Sequence, residues 1–491
     1  LYSGFYPLAV ASPRMAAMEL EKWGLEWLST PAVVVHQHSD GRTVGLYEDL
    51  DRTCESVEKF APGDGERWRR LYEDWHEVQP ALIDALFAPF PPVRPAVRML
   101  ATLKTDLLRF ARMGLVPVRR FSAERFQGEG GGWLLAGNAL HADLTPDMAG
   151  SALFGMVLCG LGQSVGFPFP RGGSGRITDA LVRRFEANGG EIRCDALVEG
   201  IELDSGRATG VRLAGGATIE ADRAVVADVI ASRLYQDMLP ADALPEPMAE
   251  DLENFQLDHS TFKVNWALDG PIPWTSEESR RAATIHLADG IDELSDTTAE
   301  LARHQIPAKP FLILGQYSAA DPSRAPDGCE SAWAYTHVPQ QIEGDAGGDL
   351  TGDWARDREA FADRMEERIE AVAPGFRELI RGRHIQSPAD LEAANPNLVG
   401  GAINAGTAQI HQQLVFRPTP GWAGPGTAVR DLYLASASAH PGGGVHGGPG
   451  ANAAEAAIKA RRRPARMALA GAAALSATVL AASMRRRSRS G

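Results

Sequence analysis

Cysteine is scarce in this chain. The four present in 491 residues, Cys54, Cys159, Cys194 and Cys329, stand far apart with no CxxC pair. That speaks against a disulfide framework and a zinc cluster. A positive balance is missing as well. There are 49 Lys and Arg against 63 Asp and Glu, and nine of the basic residues fall at or after Lys459, so residues 1–458 carry a net charge of −23. A body that acidic repels phosphate backbones, and no nucleic-acid partner is expected. No Ser-His-Asp set with supporting context is visible, so hydrolase chemistry has no footing. The nearest approach to metal-ligand spacing is His36-x-His38 on an expected strand; it supplies only two ligands and reads as surface histidines. No metal site is expected. With 44% hydrophobic and 23% charged residues, the composition is that of a globular protein long enough for two to four domains.

Periodicity supplies the organisation. Strands are expected at Pro31–Val35 and Thr43–Tyr47, and the stretch 20–160 reads as largely helical, with Trp68, Leu71, Tyr72 and Trp75 at helical intervals. A helix carrying Ile177, Leu181 and Phe185 stops at Asn188-Gly-Gly190 and leads to a short strand, Glu191–Cys194. Period-two segments follow, turning at Ser205-Gly206 and Gly215-Gly216, and then Ala224-Val-Val-Ala227 reads as a buried parallel strand. Strands at Phe262–Leu268, Phe311–Tyr317 and Ser331–His337 predict an antiparallel sheet, and residues 357–373 a helix.

The strongest chemical signal comes late. Asp431-Leu-Tyr-Leu-Ala435 reads as a buried strand, followed by His440-Pro-Gly-Gly-Gly-Val-His-Gly-Gly-Pro-Gly450 and a helix. Glycines let a backbone approach a ligand closely, and a helix N-terminus presents unpaired N–H groups to an anionic or electron-rich partner. Arg171-Gly-Gly-Ser-Gly-Arg176 also precedes a helix. It lacks the Lys-Ser/Thr of a phosphate loop and reads as a site of close packing.

Four elements together resemble the phytoene dehydrogenase-like branch of the flavin amine-oxidase/phytoene-desaturase superfamily, including its pyridine nucleotide-disulphide oxidoreductase domain-containing members. They are Ser3–Pro13, Phe169-Pro-Arg-Gly-Gly-Ser-Gly175, Asn395-Pro-Asn-Leu-Val-Gly-Gly401 leading to Phe416-Arg-Pro418, and the 440–450 loop. The resemblance implies an α/β fold: a glutathione-reductase-like, Rossmann-type FAD-binding domain built from discontinuous segments, interrupted by an α+β substrate domain. On that reading residues 1–18, 161–235 and 405–460 form the FAD-binding domain, 19–160 and 236–404 the substrate domain, and 461–491 a basic tail. It implies FAD as cofactor, with Val198 at the adenine, Ala227 and Asp228 where a strand passes the cofactor, and Gly442, Gly443, Gly444, Val445 and Asn452 at the flavin. A helix N-terminus aimed at the pyrimidine edge would stabilise the reduced ring. Lys263 either orients a water at flavin N5, as a lysine does in amine oxidases, or points to solvent. His440 either contacts substrate or ring or serves the turn.

Members of that superfamily open with a strand, GxGxxG and a helix. The match here starts downstream, at Leu1, so the sequence as it stands is expected to be a fragment or a short form that binds FAD poorly. The expected activity is FAD-dependent dehydrogenation or isomerisation at carbon–carbon bonds of an apolar molecule. The alternatives are an amine-oxidase-like enzyme and a non-catalytic scaffold that has lost its cofactor. The electron acceptor and the oligomeric state stay open. The expected location is cytoplasmic, and the uncharged run Met467–Met484, flanked by arginines, reads as a membrane-touching helix, a span or a solvated tail.

Overall fold

The computed structural model describes residues 4–103 and 106–460. Along the chain come β1 (Ala32–Gln37) and β2 (Thr43–Tyr47), then helices α1 (Asp64–Phe87), α2 (Val93–Leu103), α3 (Leu107–Met113), α4 (Gly130–Ala139), α5 (Ser151–Val165) and α6 (Gly175–Ala187). A meander follows, β3 (Val198–Asp204), β4 (Arg207–Leu213) and β5 (Thr218–Glu220), with β6 (Val225–Ala227) after it. The rest comprises β7 (Ser260–Leu268), β8 (Thr284–Leu287), β9 (Leu312–Gln316), β10 (Glu330–Val338), α7 (Trp354–Val372), β11 (Ile380–Gln386), β12 (Leu432–Leu434) and a last helix, 448–460.

Seven strands form one sheet in the order β11-β7-β10-β9-β8-β1-β2. All pairings are antiparallel except β8 with β1. The antiparallel sheet expected beyond residue 261 is therefore extended by a hairpin from before residue 50. Side chains alternate across a sheet, so the register divides them cleanly. One face carries Phe262, Val264, Trp266, Leu312, Leu314 and Ala334, packed with Phe361, Met365 and Ile369 of α7. The other carries Val34, Val44, Ile313 and Trp333, which share a core with Trp133, Leu134 and Leu135 of α4 and Met156 of α5. Helix α4 lies hard against the sheet because of Gly137: a Cβ there would stand 2.4 Å from Nδ1 of His286.

A smaller body holds the parallel pair β12–β6, with Leu432 opposite Val225 and Leu434 opposite Ala227, beside the β3-β4-β5 meander. Its core gathers Ile201, Ala208, Leu234, Leu252 and Leu434. The expected turns form where Ser205 and Gly206, then Gly215 and Gly216, adopt positive φ. Two expectations fail here. Residues 191–194 are not a strand, since no neighbouring strand among the described residues pairs its N–H and C=O groups. The strand at 225–227 is covered on one side only, and Val226 on the other side is 48% exposed. No helix among the described residues is long and apolar enough to cross a membrane; the run 467–484 lies outside the described residues.

Candidate functional site

The α7 side of the large sheet is built from apolar side chains, whereas its opposite side is not. There the register aligns Lys263 with Tyr335, Tyr335 with Ile313, Ile313 with His286, and His286 with His36. Thr261, Trp333, His337 and Thr284 share that face. Polar groups placed at period two inside an apolar layer cost free energy and need a reason. His36 and His286 have no exposed surface and His337 little. His36 is thus a buried residue and not a surface one: its Nε2 meets the Ala288 carbonyl at 2.9 Å and its ring lies beside Trp133. His141, from the turn after α4, sets its Nε2 2.6 Å from Nε2 of His286, so one ring donates and the other accepts.

Burial governs the charge of this face. Desolvation lowers His36 to about 4 and His141 and His259 to about 3, and it drives His286 and His337 below their ordinary value. Lys263 is buried, with its Nζ 5.2 Å from the centre of the Trp333 ring. Desolvation, aided by the Arg324 charge, lowers it to about 7. At neutral pH the histidines of this face are neutral and Lys263 is about half protonated, all of them among aromatic rings. No carboxylate among the described residues stands on the face of β7, β10, β9, β8 and β1 that carries Lys263.

Two chain segments lead from this face to the glycine loop. Phe5 stacks on Phe167 and touches the His141 ring, and three residues on, Leu8 lies under Gly444. Asp143, two residues after His141, accepts from Thr407 Oγ1 at 2.8 Å and from the Ala408 amide at 3.0 Å. Residues 404–408 in turn back the loop: a Cβ on Gly443 would stand 2.7 Å from Oδ1 of Asn404. The loop therefore passes close to its supports through a backbone without side chains. Gly442 and Gly444 hold φ of 109° and 119°, where L side chains are rarely found. The amides of Gly443, Gly444 and Val445 make no hydrogen bond among the described residues, and helix 448–460 starts directly after them. Buried Nδ2 of Asn404 is likewise without a partner. A bare, donor-rich corner of this kind suits the electron-rich edge of a flavin.

The support beneath the loop is a buried charge cluster. Arg417 has no exposed surface and donates to the carbonyls of Ala437, Thr407, Asn404, Ala405 and Gly406. Asp258 accepts from the amides of Ile403, Asn404 and Gly406. Desolvation pushes Asp143 up to about 7, with the Asp258 charge adding to it, and burial lowers Arg417 to about 10. Asn397 braces the neighbouring strand end, accepting from the Ile230 amide and donating to the Asp228 carbonyl, both at 3.1 Å.

The residues singled out from the sequence fall into separate places. Gly442, Gly443, Gly444 and Val445 form the bare corner. Asn452 lies in the helix that follows, its Oδ1 accepting from Arg14 at 3.2 Å. Ala227 and Asp228 end β6 beside β12, Ala227 accepting the Ala435 amide at 2.8 Å. Val198 opens the β3 edge opposite Leu213. His440 is buried against Phe90, with the Leu86 and Ala88 carbonyls nearby but outside hydrogen-bonding geometry, and burial lowers it to about 4. His440 flanks the loop, whereas Lys263 lies on the sheet. The sequence flags His36 only as a surface residue and Arg417 only as part of Phe416-Arg-Pro418, and it gives no reading of His141, His286, His337, Asp143 and Asp258. A histidine at period two with apolar neighbours was the one available signal, and it exists for His286 and His337.

An α/β body with a bare glycine loop ahead of a helix, and with buried bases on one face of its large sheet, has the fold of a flavin-dependent oxidoreductase. The chain belongs to the flavin containing amine oxidoreductase family, whose model matches residues 47–328. It lies in the phytoene desaturase/flavin amine oxidase superfamily, and its cofactor is FAD. The mouse pyridine nucleotide-disulfide oxidoreductase domain-containing protein 2 is 26% identical over 92% of this chain and 84% of its own length. A lycopene-forming phytoene desaturase from a Paracoccus species is 25% identical over 85% of this chain and 78% of its own. Among solved structures, an oxidoreductase from Methanosarcina mazei superposes with a TM-score of 0.58 at 14% identity, covering 94% of this chain and 90% of that one.

Proposed function

We propose that the protein removes hydrogen from adjacent carbons of an apolar, polyene- or lipid-like molecule, using a glutathione-reductase-like FAD-binding domain assembled from its discontinuous segments. The observation that carries this is the aromatic, carboxylate-free face around Lys263: a substrate ammonium would find no carboxylate there, whereas an apolar chain loses little on entering. Likeness to phytoene desaturases points the same way. Loss of two hydrogens releases a hydride, for which FAD supplies the acceptor when bound, and a proton, for which the face holds neutral bases. Lys263 takes that proton at Nζ. Gly443, Gly444 and Val445 would hold the flavin edge through their amides, and Trp333 and Tyr335 flank the substrate and exclude water.

The test is anaerobic mixing of FAD-loaded protein with an apolar polyene and, separately, with primary amines. Bleaching of the flavin by the polyene alone is expected; bleaching by amines alone defeats the proposal. With Lys263 carrying its proton below about 7, the reduction rate should rise with pH through that value and level off above it. Lys263→Met should lower the plateau by about 10²–10⁴-fold and remove that rise. An unaltered pH profile in the variant would dismiss Lys263 as the base.

A further inference from the structure

The open cavity of about 400 Å³ lined by Arg42, Lys59 and Glu129 has its cations matched by carboxylates. The histidine cluster belongs to the site already described. Helices α2 and α3 lie outside both.

These helices are apolar on two sides. Met99, Leu103, Leu107, Phe110 and Met113 turn inward and join the main core. On α2, Val93, Val97 and Leu100 recur at i, i+4 and i+7 along the opposite side and are 63%, 59% and 50% exposed. Leu108 of α3 and Leu115 just beyond it are 80% and 60% exposed. The two helices touch each other. An outward apolar stripe of this extent on a second face is not needed for folding and has no cover among the described residues.

Charge identifies the cover. Residues 88–120 contain seven basic residues and one acidic, Asp106, in a chain whose first 458 residues are strongly acidic. Arg94 and Arg98 flank the α2 stripe on one side, and Arg109 and Arg112 both fall between Leu108 and Leu115. Arg98 pairs with Asp84 and Arg109 with Asp106 through exposed arginine side chains whose pairs are weak and open to exchange with another anion, whereas Arg112 is held by Glu124 in a bidentate pair. Two copies meeting here would set arginine against arginine. Branched aliphatics with basic neighbours, offering neither a pocket nor an aromatic anchor, fit a fluid anionic layer better than a shaped protein partner. We propose that the outward side of α2 and α3 docks the protein on the surface of an anionic phospholipid membrane, Val93, Val97, Leu100, Leu108 and Leu115 entering the headgroup boundary and the arginines meeting lipid phosphates.

The proposal stands apart from the substrate reading, because its test measures partition and not turnover. The full chain is sedimented with phosphatidylcholine vesicles with and without phosphatidylglycerol. Binding to the anionic vesicles is expected, weaker on the neutral ones and weakened by salt. Val97→Asp with Leu100→Asp and Leu108→Asp, all at exposed positions, should reduce partition by about tenfold or more while the thermal melt stays that of the parent. Arg94→Glu should reduce it less and flatten the salt dependence. Three outcomes overturn the proposal: no binding by the parent, equal binding by the triple variant, or an oligomer that the triple variant dissolves without any vesicle partition.

Discussion

Gly444→Asp is expected to leave the protein folded and colourless, without the visible absorption of bound FAD. Three physical effects coincide at this position. The residue holds φ of 119°, so any L side chain is strained, at a cost of about 1–3 kcal/mol. A Cβ would stand 2.9 Å from Cδ1 of Leu8, which must shift toward Phe5 and the His141 ring. The carboxylate would then lie among the amides of Gly443 and Val445, satisfying the donors proposed to meet the flavin edge and opposing the negative charge that such an edge gains on reduction. Strain alone predicts a loss of about 10–100-fold in FAD affinity, and the charge takes it further. Gly444→Ala separates the two, since it carries the strain without the charge and should retain part of the colour. Titration of the apoproteins with FAD measures both. An aspartate variant that binds FAD as the parent does would move the flavin away from this loop.

What the sequence alone could reveal depended on how local each cause was. Strand β2, the α6 stop at Asn188-Gly-Gly190 and the β3–β5 meander follow from alternation and turn chemistry within a dozen residues, and the structure has them. The joining of β1 and β2 to strands beyond residue 260 leaves no local trace, because parallel pairing of His36 with His286 spans 250 positions. Strands β8 and β11 were not anticipated: one is four residues long, and the other, Ile-Arg-Gly-Arg-His-Ile-Gln, has little apolar content. The expected strand at 191–194 had the right residue types but no neighbour to pair with. His36 was misread because a lone strand histidine between valine and glutamine gives no hint that Trp133 and Ala288 will enclose it. The glycine loop was legible since its chemistry lies in consecutive residues. Its support was not, because Arg417 works through backbone carbonyls, which any sequence at 404–407 and 437 would supply.

That support makes Arg417→Leu the substitution with the largest expected effect on stability. The guanidinium is fully buried and its donors are spread over five carbonyls from two chain segments. Leucine would leave those carbonyls without donors and would remove the cation facing Asp143 and Asp258, for a loss of about 3–5 kcal/mol. Arg417→Lys keeps a charge but not the planar fork, so an intermediate loss is expected. Asp143→Asn added to Arg417→Leu should recover part of the deficit, because one uncompensated carboxylate is gone. The pH dependence follows from the same groups. Asp143 has a folded value of about 7, above its unfolded value, so the folded state holds the extra proton and the stability it brings declines as pH rises toward 7. Removing the Arg417 cation raises Asp143 further and extends that decline to higher pH. Denaturant unfolding should therefore find the deficit of the leucine variant larger at about pH 8 than at about pH 5. The loop resting on this cluster should loosen in step, with FAD lost at lower temperature than in the parent. A leucine variant of parental stability at both pH values would mean that residues 404–408 and 437 are held by something other than this arginine.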